Sequence, residues 1–110
     1  MMTQLLAETT VLVNKEYERA SKQHGPTFNS PHEGYAVVKE ELDEARDELI
    51  SSEVDIDRYW KAVKKNDKET QIENLAHLYL KSVLLACEAI QTAAMAHKAL
   101  RTVQDIGSKT

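Results

Sequence analysis

Apolar residues recur along this chain at three- and four-residue intervals, the spacing of one face of a helix. Leu6, Thr10, Val13, Tyr17 and Ala20 fall on one such stripe and predict a first helix over residues 3–24. Gly25-Pro26 follows: glycine suits the left-handed residue after a helix, and proline cannot continue one. A second helix opens at "SPHE". Ser30 can cap it, Pro31 suits its first position and Glu33 completes a capping box. Val38, Leu42, Ala45 and Leu49 stripe this helix over residues 31–51, and the pattern fades near "ISSEV". A short third helix is predicted over 55–65, with Ile56, Tyr59, Trp60 and Val63 as its apolar face. "NDKE" offers another capping box, Asn66 with Glu69, ahead of a long fourth helix over 67–104, with Gly107 beyond its end.

The fourth helix sets the architecture. Some 35 residues at 1.5 Å each span roughly 50 Å, whereas a compact chain of this length has a radius of gyration of only about 13 Å. Either the helix breaks, near His77, or it extends into a partner. Val83 to Ala96 holds only Glu88, Gln91 and Thr92 as polar residues, and a segment apolar nearly all round belongs in a core. The expectation is therefore a single all-α domain over residues 1–110. It is a bundle of about four helices whose core is completed by homo-oligomerisation, as a dimer or tetramer.

Composition narrows the class. In 110 residues, three Gly and two Pro leave little punctuation and aromatics are 5%, which favours long helices over a β-sandwich or barrel. Hydrophobic residues at 42% make the chain globular rather than disordered. A net charge of −4 disfavours nucleic-acid binding, which needs a basic face. The single cysteine, Cys87, cannot form an internal disulfide, so a reducing, cytoplasmic compartment is expected. The N-terminus lacks the pattern of a signal peptide, and no uncharged apolar run is long enough to span a membrane.

The acids of the second helix carry the candidate chemistry. On a wheel at about 100° per residue, Glu41 borders the apolar arc, with Glu48, Glu44, Glu33 and Glu40 beside it. The one-turn neighbours of Glu44 are Glu40, Glu41, Asp47 and Glu48, all acidic. Like charges at that spacing destabilise a helix by about 0.2–0.5 kcal/mol each. Glu88, in the apolar stretch, has Leu84, Leu85, Gln91 and Thr92 as its one-turn neighbours and no base among them. If the second and fourth helices pack together, Glu41, Glu44, Glu88 and Gln91 converge. Three carboxylates and an amide oxygen are hard ligands of the kind Mg²⁺ or Mn²⁺ prefers. Two blander readings stand beside this one: an acidic face that is merely solvated, and a Glu88 that meets a cation such as Lys81 across an interface.

Two blocks, "HEGYAVVKEELDEARDEL" and "CEAIQTAAMAHKAL", resemble the all-α, MazG-like nucleoside triphosphate pyrophosphohydrolases, in particular the small phage-type members. With the helices around them they cover about residues 31–100. Glu40 to Glu44 match the family's E-E-x-x-E, and Glu88 matches the first acid of its E-x-x-D. The resemblance implies Mg²⁺-dependent cleavage between the α- and β-phosphates of a nucleoside triphosphate, releasing pyrophosphate. It implies Glu41 and Glu44 as the first pair of metal ligands, one of them assisting water, and Glu88 in the second pair. Gln91 stands where the family usually has Asp and brings no charge, and the segment between the blocks is longer than in compact relatives. That substitution keeps open a non-enzymatic reading, an oligomeric helical protein that retains the fold without turnover.

Lys61, with Lys64, Lys65 and Lys68, forms a basic patch, and Lys61 and Lys81 are the candidates to receive phosphates; a solvated face is the alternative. Trp60, Cys87 and Met95 read as core residues. No H-E-x-x-H pattern or G-x-x-x-x-G-K loop occurs, which disfavours zinc and a phosphate loop.

Overall fold

The computed structural model describes residues 2–108, and all of the regular structure among them is helical: α1 (Met2–His24), α2 (Pro31–Lys64) and α3 (Lys68–Ser108). The all-α class is as expected, but three helices replace the four anticipated. The segments predicted as separate helices over 31–51 and 55–65 are one helix, which ends at Lys64. No Gly or Pro interrupts "ISSEV", and Ser52, which favours turns when its hydroxyl is free, donates back to the Glu48 carbonyl at 2.8 Å and stays helical. No break occurs at His77 either: α3 runs 41 residues unbroken, about 60 Å. Gly107 is part of α3 rather than beyond its end.

The helix boundaries follow from local chemistry. Gly25 takes φ +88°, and its N–H donates to the Ser21 carbonyl, closing α1 with the left-handed residue the sequence predicts. At the start of α2 the Ser30 hydroxyl accepts from the Glu33 N–H at 3.1 Å. The Glu33 carboxylate reaches back to the Asn29 N–H, one residue earlier than a standard box. The expected Asn66–Glu69 cap is displaced by one residue. Asn66 adopts φ 55° as the left-handed end of α2, and Asp67 caps α3, accepting from the Thr70 N–H and hydroxyl at 3.1 and 2.6 Å. These bonds favour the ionised form, so the Thr70 hydroxyl and N–H hold the Asp67 carboxyl below its ordinary value.

The chain divides into two compact units, residues 1–42 with 89–110 and residues 43–88. In the first, Ala94 and Met95 are buried, and Gly34 allows α2 and α3 to approach: a Cβ there would stand 3.3 Å from the Ala99 Cβ and from the Phe28 ring. The Phe28 N–H donates to the Thr102 hydroxyl at 2.8 Å, and Tyr17 donates to the Pro26 carbonyl while stacking on His97. These bonds fix the loop between α1 and α2.

The second unit is a helical hairpin built from the later part of α2 and the earlier part of α3. Its buried residues are Ala62, Ser52, Asn74 and Asp55, so its interior is largely polar. Asp55, 1% exposed, forms an ion pair with Lys81 at 2.8 Å, and Lys81 also donates to the Ser51 carbonyl at 3.4 Å. The Asp55–Lys81 contact lies outside regular hydrogen-bond geometry, which leaves Asp55 Oδ2 held by charge alone.

Several residues expected in a core lie at the surface of the single chain. Trp60 is 58% exposed, with Lys64 Nζ 5.6 Å from its ring centroid, and Cys87 is exposed. Leu75, Tyr79, Leu80, Val83 and Leu84 of α3 are exposed as well. By length and composition Lys68–Ile106 is apolar enough to cross a membrane, a property the search for uncharged runs did not register; its most apolar window is only 11% buried.

Candidate metal centre

Three acids named from the sequence come together. One carboxylate oxygen from each of Glu41, Glu44 and Glu88 lies within 4.8 Å of the other two. Glu44 and Glu88 belong to the hairpin unit, and Glu41 precedes Glu44 by one turn of the same continuous helix. The hydrogen bond to Glu88 raises the Glu44 carboxyl above its ordinary value, as do the charge of Glu88, some burial and the nearby Asp47. Glu88 thus has another acid, Glu44, close beside it. Two carboxylates this close hold a proton between them or take a cation.

The donor set fits a hard divalent cation. Oxygens around octahedral Mg²⁺ at about 2.1 Å are no more than about 4.2 Å apart. Side-chain adjustments of under about 1 Å bring three oxygens that already lie within 4.8 Å into that range. Glu41 and Glu88 are half-buried and Glu44 is exposed.

Gln91, one turn beyond Glu88 on α3, is tied to α1. Its amide nitrogen donates to Glu16 at 2.6 Å. Its amide oxygen accepts no hydrogen bond among the described residues. The hydrogen bond from Arg19 holds the Glu16 carboxyl below its ordinary value; burial opposes it, and the Gln91 hydrogen bond and the charge of Arg19 add to the lowering. Glu16 was not singled out from sequence. Its one visible signal is Arg19 at one-turn spacing, an ordinary surface pair.

The two lysines named for phosphate binding have different surroundings. Lys61 is exposed and lines a shallow basic hollow with Arg58, Lys65, Asp67, Thr70 and Asn74. Lys81 is held by Asp55 and Ser51. Asp55 is the acid that sequence reading overlooked: "SSEVDID" reads as a helix terminus, and only the continuity of α2 turns Asp55 inward against α3.

Comparison with protein-family models, curated proteins and solved structures returns no match to this chain.

Proposed function

We propose that this protein is a metal-dependent nucleoside triphosphate pyrophosphohydrolase working as a homo-oligomer, with Glu41, Glu44 and Glu88 as the ligands of Mg²⁺ or Mn²⁺. The observation that carries the reading is the convergence of three carboxylates at the positions where the sequence resembles the MazG-like motifs. A bound divalent ion would supply charge neutralisation for the triphosphate and polarise the α-phosphorus toward water. Glu41 or Glu44 would accept the proton of that water, and Gln91 would offer a neutral oxygen. Pyrophosphate leaves as the new bond to the α-phosphorus forms. The missing fourth charge at Gln91 predicts weaker metal binding than a four-carboxylate centre would give.

The oligomeric part of the proposal rests on surface. The chain exposes 8160 Å² at 12.4 kDa, about 2,000 Å² more than the roughly 6,100 Å² of a folded monomer of that mass. An excess of this size is what an obligate interface covers. It includes a groove of about 380 Å³ in the first unit, lined by Gly34, Tyr35, Val38, Leu42, Ala96 and Ala99. A second copy is favoured over a lipid surface as the cover for α3, because Lys81 and Glu88 within that helix already face charged partners on α2.

The test is pyrophosphate release from a panel of nucleoside triphosphates with Mg²⁺ or Mn²⁺, with Glu41→Gln alongside wild type. Release that the substitution abolishes is the expected result. No release from any triphosphate by folded, oligomeric protein would refute turnover and leave the non-enzymatic reading, with Gln91→Asp as the variant to restore it.

A further inference from the structure

The hairpin unit turns polar residues inward and apolar residues outward. Ser52, Asp55 and Asn74 are buried in it, whereas Ile72, Tyr79 and Val83 of α3 are exposed. α3 faces α2 through Lys81, paired with Asp55, and through Glu88, beside Glu44. At about 100° per residue, the exposed residues lie on the opposite side of the helix. They belong to a seam of Ile72, Ala76, Tyr79, Val83, Ala86 and Ile90, spaced alternately four and three apart. All are exposed except the half-buried Ile90. A four-three alternation is the pattern by which one helix packs along another.

The seam reads alike from either end. Positions 72 and 90 are Ile, 76 and 86 are Ala, and Tyr79 and Val83 flank the midpoint at position 81. Two copies of α3 running in opposite directions and crossing at that level set Ile72 of one against Ile90 of the other, Ala76 against Ala86, and Tyr79 against Val83. Large side chains meet large ones, and the paired alanines let the backbones approach.

Charge favours the same direction. Asp55, in contact with Lys81, marks the level of the midpoint on α2. To one side of it, residues 43–48 hold four acids and one base; to the other, residues 58–68 hold five bases and one acid. Parallel pairing would set like ends together, whereas antiparallel pairing sets each acidic end alongside a basic one. The surface also suffices. The chain's excess of about 2,000 Å² over a folded monomer of its mass is larger than the roughly 800 Å² per partner of a standard interface.

We propose that α3 pairs with α3 of a second copy through the Ile72–Ile90 seam, antiparallel and two-fold symmetric about the level of Lys81. The inference rests on the homo-oligomer reading and not on turnover; it adds the face and the direction in which two copies meet. A two-fold contact of this kind closes on itself and gives a dimer. Because Glu88 faces α2, away from the seam, each copy keeps its own acidic trio clear of the interface.

Disulfide cross-linking of the full-length protein tests this, in a Cys87→Ser background that removes the exposed native thiol. A disulfide needs Cα atoms within about 7 Å of each other, so it reports one register. Under mild oxidation the double variant Ala76→Cys/Ala86→Cys should form a covalent dimer, and neither single variant should. Ile72→Cys/Ile90→Cys repeats the test if the alanine variants do not fold. Wild type should sediment as a dimer, or as a tetramer built from it, and its thermal midpoint should rise with protein concentration. A covalent dimer from Ala76→Cys alone would mean parallel helices and overturn the proposal. An oligomer that sediments as such but cross-links in neither double variant would also overturn it, while leaving the homo-oligomer reading in place. A wild type that sediments as a monomer would overturn both, and a monomer that floats with phosphatidylcholine vesicles would make lipid the cover of the seam.

Discussion

Lys81→Met leaves the Asp55 carboxylate without its cation while keeping most of the length and apolar volume of the side chain. The two charges stand 2.8 Å apart, with Asp55 1% and Lys81 28% exposed. At an effective dielectric near 20, their gross attraction is about 6 kcal/mol, most of it offset by the cost of taking both groups out of water. Losing one partner of a buried pair costs about 3–5 kcal/mol because the other charge stays buried. The partial exposure of Lys81 places this pair at the lower end, about 3 kcal/mol. His77 Nδ1, 4.0 Å from the other Asp55 oxygen, is too distant to replace the ammonium. For 110 residues, at about 2.1 cal/mol/K of unfolding entropy per residue, 3 kcal/mol lowers the midpoint by about 13 °C. Thermal unfolding of wild type, Lys81→Met, Asp55→Asn and the double variant at one fixed protein concentration measures this. The double variant should recover much of the loss, since the stranded charge is then gone. A midpoint drop under about 4 °C, or no recovery in the double variant, would refute a structural role for the pair. Unchanged stability with a raised KM for triphosphate would instead return Lys81 to phosphate binding.

The raised Glu44 carboxyl makes stability depend on pH, and the proposed metal centre would make it depend on metal as well. Because the folded Glu44 carboxyl lies above its ordinary 4.5, the pair stabilises metal-free protein below that value and loses the contribution as pH rises through the elevated one. Glu44→Gln should therefore flatten the difference in midpoint between pH 5 and pH 7 and abolish any gain from Mg²⁺ or Mn²⁺. Wild type should gain about 2.7 kcal/mol at a hundredfold excess of metal over its dissociation constant, read by calorimetry, and no gain at millimolar metal would count against the centre. If the protein assembles as proposed, Tyr79→Glu, at a position 75% exposed on α3, should dissociate it in sedimentation experiments, and a variant that sediments as wild type would remove that face from the proposed interface. Ser30→Ala deletes the acceptor of the Glu33 N–H and should cost about 1 kcal/mol in urea unfolding, well below the Lys81 effect.

Helix content, the α1 terminus at Gly25, the Ser30 cap and the acidic trio are properties of local sequence. Each depends on residues one turn apart or on the backbone freedom of a single residue, and so can be read along the chain. The convergence of Glu41 and Glu44 with Glu88 needed one further assumption, that α2 packs on α3. Tertiary structure decided the rest. Whether "ISSEV" ends a helix depends on the Ser52 hydroxyl and on what the helix packs against, since its propensities favour neither outcome. Asp55 with Lys81, Glu16 with Gln91, and Phe28 over Lys98 join residues 26, 75 and 70 positions apart. Pairings at such distances carry no periodic signal, and only the packed helices bring those charges together.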